Sequence, residues 1–372
     1  MINIQKLFFE QGHEEAIRFL SEELAIKVKD YGDYFLLDYN QIDSPKTNEY
    51  VVECRGLTVD KNGRILARAF PRFFNWGEAP ETTVGFEFSR AKVMEKADGS
   101  LIKVYFNPYT GRWEIGTRGT ALAEGPHDFY ESFRHAVLED GFGVTEEEFQ
   151  RFFNHNIAID STYVFEYTSP KNRIVTRYTK PEMVLLGIND NVNCGFRLPT
   201  ELDIAMLYEF SDNVRSVKLY SYDSVDEMLE STNDLPNLEE GYVLYDMESG
   251  VRIKVKSLKY VEVHRIRGEG KPTPKSICTL ILENEQDEFL AYFPEFRDLF
   301  TPYEDKLKEI HLTLVQAWDA YKDLESQKDF ALSIKDVPYN GILFQARKMN
   351  KTVNESWNDW PLEKKISMFE KE

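Results

Sequence analysis

The pattern of hydrophobic residues in this chain changes character once, near residue 260. Before that point, short runs rich in β-branched and aromatic residues are separated by Gly, Asn and Asp turns, which is typical of antiparallel strands. These runs fall at 34–39, 50–59, 64–70, 91–96, 101–106, 112–117, 163–168, 183–188, 241–246 and 251–256. Helical spacing occurs at 13–28, 127–139, 200–210 and 225–231. The mixture predicts an α+β domain with antiparallel sheets rather than a βαβ repeat.

Beyond residue 260 the strand-like pattern stops. The stretch GEGKPTP at 268–274 is a Gly/Pro-rich break in the chain. After it, apolar residues recur at three- and four-residue intervals, as in a long amphipathic helix: Leu307, Ile310, Leu314, Trp318, Tyr321 and Leu324. A chain of 372 residues is long enough for two domains. We therefore predict an α+β domain over 1–262 and a mostly helical domain over 263–372.

Composition narrows the class of protein. No apolar run reaches the roughly 18 residues needed to cross a bilayer, and the N-terminal residues lack the pattern of a secretory signal. The three cysteines, Cys54, Cys194 and Cys278, are odd in number and lack the spacing of a zinc site. We expect reduced, mostly buried thiols in a cytoplasmic protein.

The distribution of charge is uneven. The net charge of −19 argues against indiscriminate binding of nucleic acid. Residues 252–275 nevertheless carry eight Lys or Arg against two Glu, a local balance of +6. A compact basic strip on an acidic body fits a protein that binds a limited length of phosphate backbone, unless acidic neighbours in space neutralise the strip.

A lysine stands directly before an Asp-Gly turn in EKADGS at 95–100, and the strand-like run LIKVYF follows. Alone, this hexapeptide fits a solvated charge beside a turn as well as a nucleophile at the mouth of a pocket. An amine nucleophile must be uncharged, and nearby cations favour loss of its proton. Lys254 and Lys256 lie two residues apart on a predicted strand, so they point to one face and could supply those charges.

Five short motifs follow one another along the chain: ECRG at 53–56, KADGS at 96–100, FEYTSPKNRIV at 165–175, EEGYVLY at 239–245 and RIKVKS at 252–257. Their order and spacing resemble the signature of covalent nucleotidyltransferases, which include ATP-dependent DNA and RNA ligases and mRNA capping enzymes. The stretches RFFN, SPKNRIV and KVKSLKY are similar to the phage RNA ligase one family, the tRNA-repair ligases of T-even-like bacteriophages. The resemblance covers residues 30–260; beyond residue 261 it rests on length and helical character.

The resemblance implies an ATP-dependent RNA ligase that joins 5′-phosphate and 3′-hydroxyl RNA ends through lysyl-AMP and RNA-adenylate intermediates. Lys96 would be the nucleophile that accepts AMP. Contacts to ATP would come from Tyr39, Arg55, Arg72, Arg118, Glu166, Glu240, Lys254, Lys256 and Tyr260. Two of these, Arg72 and Arg118, stand where the family has lysine, which keeps the charge but changes its geometry.

Within that set, Glu166 would contact the ribose, whereas Lys254 and Lys256 would hold phosphate oxygens. Mg²⁺ is expected from the chemistry of phosphoryl transfer, with Glu240 orienting a hydrated ion. Asp287, in the acidic run ENEQDE at 283–288, is the candidate for a second ion, although such a run also fits a solvated helix end.

The resemblance also implies a substrate and partners: single-stranded RNA ends, a nicked tRNA anticodon loop, and a polynucleotide kinase-phosphatase that prepares the ends. The helical domain would then help to hold the tRNA body, and a phage-encoded enzyme would work in the cytoplasm of its host. Two alternatives remain open. One is a DNA ligase or capping-type enzyme, which carries a β-rich module after the RIKVKS strand that is not evident here. The other is a catalytically silent RNA-binding scaffold.

Overall fold

The chain divides into two compact units, Met1–Val261 and Glu262–Glu372. The computed structural model describes residues 1–172, 174, 176, 178–232, 235, 239–257, 272–292 and 294–369. Strands and helices alternate in the described part of the first unit, whereas the described part of the second contains helices and no strand. The α+β class and the mostly helical C-terminal region predicted from the sequence are confirmed.

Fifteen strands occur in the described part of the first unit. In chain order they are β1 Ile26–Asp30, β2 Tyr34–Tyr39, β3 Arg55–Asp60, β4 Ile65–Ala67, β5 Phe74–Asn75, β6 Ala91–Glu95, β7 Ser100–Asn107, β8 Arg112–Thr117, β9 Ser161–Thr168, β10 Glu182–Asp190, β11 Phe196–Arg197, β12 Val214–Ser216, β13 Leu219–Tyr220, β14 Gly241–Asp246 and β15 Arg252–Lys256.

These strands form three sheets. The first sheet has the order β1-β2-β3-β4 and is antiparallel throughout. The second has the order β11-β10-β9-β7-β8, and β12 pairs in parallel with β10. The third has the order β13-β6-β14-β15-β5, with β5 parallel to β15. Antiparallel pairing therefore dominates, as the sequence pattern predicted.

The described helices of the first unit pack on the sheets. They span Asn3–Gln11, His13–Glu22, Glu49–Glu53, Phe133–His135 with π-helical turns over Ala136–Phe142, Glu146–Asn156, Glu201–Phe210 and Val225–Ser231, with 3-10 turns at Pro80–Thr83 and Phe88–Arg90. Threonine caps begin two of them: Thr145 and Thr200 each accept a hydrogen bond from the backbone three residues on. Phe149 and Phe153 of one helix pack on Trp113 and Phe165 of the second sheet.

The second sheet lies at the centre, because both other sheets pack on it. Met94 and Tyr245 of the third sheet share a buried cluster with Val184 of the second. Leu36 of the first sheet shares another cluster with Tyr105 of the second. Burial of these faces stabilises the arrangement by the usual ~25 cal/mol per Å² of apolar area. Residues that border the contacts of the second sheet with the first and third sheets consequently lie close together.

Three element boundaries differ from the sequence prediction by five residues or more. The helix predicted over 13–28 ends at Glu22, and β1 begins at Ile26 after Ala25 adopts a positive φ of 51°. The strand predicted over 50–59 was wrong in its first half: Asn48 caps a short helix there by accepting from the N–H groups of Tyr50 and Val51. Residues 127–132 are not helical, so the helix predicted over 127–139 starts late.

The described helices of the second unit span Pro274–Glu283, Gln286–Tyr292, Arg297–Tyr321, Gln327–Ser333, Gly341–Met349, Val353–Asn358 and Leu362–Phe369. The long helix buries Leu307, Ile310 and Leu314, the stripe that predicted it. None of the described helices has the length and apolarity that a membrane span needs. All three cysteines are free thiols, as expected. Most of the basic strip at 252–275 lies outside the described residues.

A buried lysine joins the first and second sheets. Lys103 on β7 has no exposed surface, and its Nζ donates to the carbonyl of Gly56 on β3. Burial lowers the pKa of Lys103 to about 7, with the Arg55 charge adding to the fall and the Asp38 charge opposing it. Charge in this position is therefore costly to the folded state at low pH.

We predict that Lys103→Met flattens the pH dependence of stability. The unfolded lysine titrates near ~10.4, so between about pH 7 and pH 10 the unfolded chain binds more protons and stability rises with pH. Urea unfolding at both ends of this window should show a larger gain for wild type than for the variant. Lys92→Met, at an exposed position, serves as the control. Identical pH dependence in wild type and Lys103→Met would contradict the prediction.

Candidate active site

The chain passes from the third sheet to the second within the sequence KADGS. Strand β6 ends at Glu95, and β7 of the second sheet starts at Ser100. Lys96 lies at the start of this crossing, where its N–H donates to the carbonyl of Gly241 over 2.9 Å. Its side chain therefore leaves the end of the third sheet at the level where β14 begins.

The Asp-Gly pair fixes the geometry of the crossing. The carboxylate of Asp98 accepts from the N–H of Thr176 at 2.7 Å, and Asp98 is 4% exposed. The N–H of Gly99 donates to Oε1 of Glu166 at 3.2 Å. A Cβ atom on Gly99 would lie 2.2 Å from the carbonyl oxygen of Tyr167. Only glycine allows the backbone to approach β9 this closely, which gives the turn a structural requirement beyond solvent exposure.

One buried carboxylate holds two lysines. Glu240, 4% exposed, pairs with Nζ of Lys96 through Oε2 and with Nζ of Lys256 through Oε1, the latter at 3.1 Å. Burial raises the pKa of Glu240, but the two ammonium groups outweigh burial and the net pKa is lowered. Of the two lysines expected near Lys96, Lys256 is thus held on the same carboxylate as Lys96.

Glu166 faces the same space from the second sheet. Burial raises the pKa of its carboxyl to about 7; the charge of Lys96 opposes this rise and that of Glu240 adds to it. Near neutrality the group can thus exist as carboxyl or carboxylate, able to donate or to accept a hydrogen bond.

A cavity of about 300 Å³ opens beside Lys96. Its wall is apolar with a few cations: Arg55, Phe70, Phe73, Met94, Glu95, Lys96, Ala97, Gly99, Leu101, Arg118, Glu166, Leu186, Val217, Val243, Arg252 and Lys254. All three sheets contribute to it. An apolar cleft with a few convergent polar groups is the usual form of a small-ligand site.

Two predicted phosphate-binding residues meet on one ring. Nζ of Lys254 lies 4.8 Å and Cζ of Arg55 lies 5.7 Å from the centroid of Phe73. Burial lowers the pKa of Arg55, and its Nη1 is buried without a hydrogen-bond partner in the part of the chain that the structure describes. A buried donor without a partner is costly, so an anionic ligand in the cavity would stabilise this arrangement.

Tyr39 and Arg72 do not line this cavity. The Tyr39 ring, 7% exposed, lies between two guanidinium groups, with Cζ of Arg72 at 4.2 Å and Cζ of Arg118 at 4.3 Å. Nε of Arg118 also donates to Asp38 at 3.0 Å. Arg72 instead lines a neighbouring cavity of about 200 Å³. The Tyr39 ring thus orients both guanidinium groups, and Arg118 also lines the cavity beside Lys96.

Sequence reasoning missed Arg252, which lines both cavities. Its Cζ lies 4.0 Å from the ring of Tyr245, 4.1 Å from Phe196 and 4.8 Å from Phe70. Burial lowers its pKa to about 10, and its Nε and Nη2 lack hydrogen-bond partners among the described residues. The sequence does contain a signal for this residue, because Arg252 precedes Lys254 by two positions on β15 and therefore shares its face of the strand.

Two predicted site residues lie outside the described part of the first unit. Tyr260 lies outside the described residues. Asp287 lies in the helix Gln286–Tyr292 of the second unit. Over the described ranges, no group of three or more His, Cys, Asp or Glu side chains has an arrangement that could hold a metal ion.

We predict that Gly99→Ala lowers the unfolding free energy by about 1–3 kcal/mol, because its Cβ would overlap the Tyr167 carbonyl. Gly195→Ala is the matched control, since its nearest neighbour is 3.9 Å away in ordinary contact. Urea denaturation of both variants measures the difference. Equal stability of the two variants would show that the crossing tolerates a side chain.

Comparison with known proteins identifies the family. A family model described as RNA ligase matches residues 53–260, more than half of the chain. A protein of Autographa californica nuclear polyhedrosis virus, whose name describes a bifunctional polynucleotide kinase/RNA ligase, is 31% identical over 319 residues, 82% of this chain and 44% of the relative. The RNA ligase of Rhodothermus phage RM378 is 25% identical over 394 residues, 88% of this chain and 87% of the relative.

A solved archaeal ATP-dependent RNA ligase aligns over 84% of this chain and 83% of its own, at 16% identity and a TM-score of 0.49. The chain spans less than half the length of the viral relative. The segment matched by the family model contains every residue that lines the cavity described above, and also Glu240. This chain belongs to the RNA ligase family.

Proposed function

We propose that this protein is an ATP-dependent RNA ligase that uses Lys96 to activate a 5′-phosphate and join it to a 3′-hydroxyl. One observation carries the proposal. Lys96 lies on the wall of a cavity of about 300 Å³ that four further cationic side chains line, and its amine pairs with a buried carboxylate. Five cationic side chains line that cavity: Arg55, Lys96, Arg118, Arg252 and Lys254.

In the first step, Nζ of Lys96 attacks the α-phosphorus of ATP; a P–N bond forms and pyrophosphate leaves. Attack requires the neutral amine, so a proton must pass from Lys96 to the carboxylate of Glu240 or to solvent. The ion pair with Glu240 orients the amine before attack. Arg55, Lys254 and Lys256 hold phosphate oxygens and stabilise the charge that develops on them.

The remaining polar residues bind the nucleoside and the outer phosphates. Glu166 holds the ribose, where a carboxyl with a pKa of about 7 can pair with a hydroxyl in either protonation state. Arg118 and Arg72 contact phosphates, and Tyr39 supports both through its ring. Tyr260 contributes a further contact to ATP.

The residues present fit a hydrated Mg²⁺, which needs only one or two carboxylates because it keeps waters and binds substrate phosphates. Glu240 supplies one buried carboxylate beside Lys96, and Asp287 is the proposed contact for a second ion. When bound, the ion would neutralise charge on the triphosphate.

Two further transfers complete the reaction. The RNA 5′-phosphate attacks the lysyl-AMP phosphorus, which breaks the P–N bond and restores the Lys96 amine. A 3′-hydroxyl then attacks the RNA-side phosphorus of the new anhydride; a phosphodiester forms, AMP leaves and the hydroxyl proton goes to a base or to solvent.

We further propose that the substrate is a nicked tRNA anticodon loop and that the unit Glu262–Glu372 contributes to selecting it. A kinase-phosphatase that prepares the ends would be the functional partner, and the name of the viral relative, which joins kinase and ligase, supports such a pairing. The three free thiols are compatible with work in a reducing cytoplasm.

Incubation with α-labelled ATP and Mg²⁺ should transfer label to wild-type protein in an acid-labile bond, and Lys96→Ala should lose the label to background. Lys92→Ala, at an exposed lysine on β6 four residues earlier, should label like wild type. Labelling of Lys96→Ala would refute the nucleophile. Preference for GTP, or for sealing nicked duplex DNA over single-stranded RNA, would favour a capping or DNA ligase activity.

Removal of residues 265–372 should leave the rate of labelling by ATP unchanged but reduce selectivity for nicked tRNA over linear RNA. The reason is that the cavity residues lie in the unit Met1–Val261. Circular dichroism would establish that the truncated protein is folded. Unchanged selectivity in a folded, labelling-competent protein would assign the second unit another role.

A further inference from the structure

Besides the cavity of about 200 Å³ that Arg72 lines, a second cavity, of about 360 Å³, adjoins the nucleotide cavity. Its lining residues are Ser100, Leu101, Thr117, Arg118, Gly119, Thr120, Ala123, Glu124, Gly125, Pro126 and Phe133. Leu101 and Arg118 line both cavities, so the two spaces share a wall. A ligand in the second cavity would consequently lie next to a nucleotide in the first.

An aromatic cluster borders this cavity: His127, Phe129, Tyr130 and Phe133. The centroid of the His127 ring lies 6.1 Å from Phe129, 5.4 Å from Tyr130 and 5.9 Å from Phe133. Phe133 belongs to the cavity wall, and Phe129 is 65% exposed. An exposed phenylalanine leaves its apolar ring in contact with water. Proteins that bind single-stranded nucleic acid use such rings to stack on unpaired bases.

The charges at the cavity favour one end of an RNA strand over the other. Arg118 and Glu124 line it together, so the wall carries one cation and one anion. A 5′-phosphate end brings at least one more negative charge than a 3′-hydroxyl end and would meet the Glu124 carboxylate. The hydroxyl of Thr120, 3.1 Å from that of Thr117, instead offers a neutral partner for a ribose hydroxyl, whereas Oγ1 of Thr117 already accepts from the N–H groups of Gly119 and Thr120.

A cation stands at the outer side of the cluster. Nζ of Lys171 lies 4.8 Å from the centroid of Tyr130, and its side chain is 47% exposed. It also pairs with Asp140 at 3.3 Å. A partly exposed ammonium beside these rings suits the phosphodiester that precedes a stacked base.

We infer that the second cavity and the aromatic cluster bind the 3′-terminal nucleoside of the RNA strand that supplies the attacking hydroxyl, with Phe129 stacking on its base. The inference rests on the proposed ligase function and extends it by giving the acceptor strand its own subsite. The subsite would present the 3′-hydroxyl at the shared wall, next to the adenylated 5′-phosphate. A stacked base requires an unpaired end, so the acceptor would be single-stranded.

The test compares three separate reactions in full-length protein: labelling by ATP, adenylation of a 5′-phosphate RNA, and sealing of a pre-adenylated RNA to a 3′-hydroxyl acceptor. Phe129→Ala should raise the half-saturating acceptor concentration in sealing by about tenfold, the size expected for one stacked base. The other two reactions should be unchanged. Phe129→Trp should retain acceptor affinity, and Phe9→Ala, at an 81% exposed position on an N-terminal helix, is the matched control.

An acceptor whose 3′-terminal residue is abasic isolates the stacking contact. Wild type should lose affinity for this acceptor, and Phe129→Ala should cause no further loss. A tenfold effect that persists with the abasic acceptor, an unchanged acceptor requirement, or a defect confined to 5′-adenylation would each overturn the inference. Anisotropy of a labelled 3′-hydroxyl RNA measures acceptor binding without chemistry. Lack of labelling and sealing in wild type would instead refute the ligase function itself.

Discussion

The arrangement of the proposed active site depends on one buried carboxylate. Glu240 contacts the ammonium groups of Lys96 and Lys256. Lys256 lies on β15 of the third sheet, and Lys96 directly follows β6 of the same sheet. Buried charges persist only when they are paired, and removal of one partner from such a set typically costs ~3–5 kcal/mol. The same contact that stabilises the sheet end therefore holds the proposed nucleophile at the cavity wall.

Two lysines of the first unit, Lys96 and Lys103, differ in where the fold places their amines. Burial lowers the pKa of Lys103 to about 7, which by itself would favour a reactive amine. Yet Lys103 donates to the Gly56 carbonyl between two sheets and does not line the nucleotide cavity. Lys96 does line it. Access to the ligand, rather than proton affinity alone, distinguishes the residue that can attack phosphorus.

Much of this arrangement could be predicted from the sequence, because ordered motifs and strand periodicity carry it. The strands around Lys96 and Lys254 were predicted within a residue or two, and the helical C-terminal region was recognised. The helix at Glu49–Glu53 was missed because a side-chain cap on Asn48 overrode β propensity. Arg252 was missed because its neighbours Phe70, Phe196 and Tyr245 are distant in sequence and only folding brings them together. The second cavity was missed because much of its wall is a loop without a periodic pattern.

The central claim is that one amine, placed at the crossing between the second and third sheets, accepts AMP. Tandem mass spectrometry of the protein after reaction with ATP, digested under conditions that preserve phosphoramidates, reads the modified position directly. The account predicts a single AMP on Lys96, with Lys92, Lys103, Lys254 and Lys256 unmodified. AMP on any of those lysines instead, or on none, would contradict it.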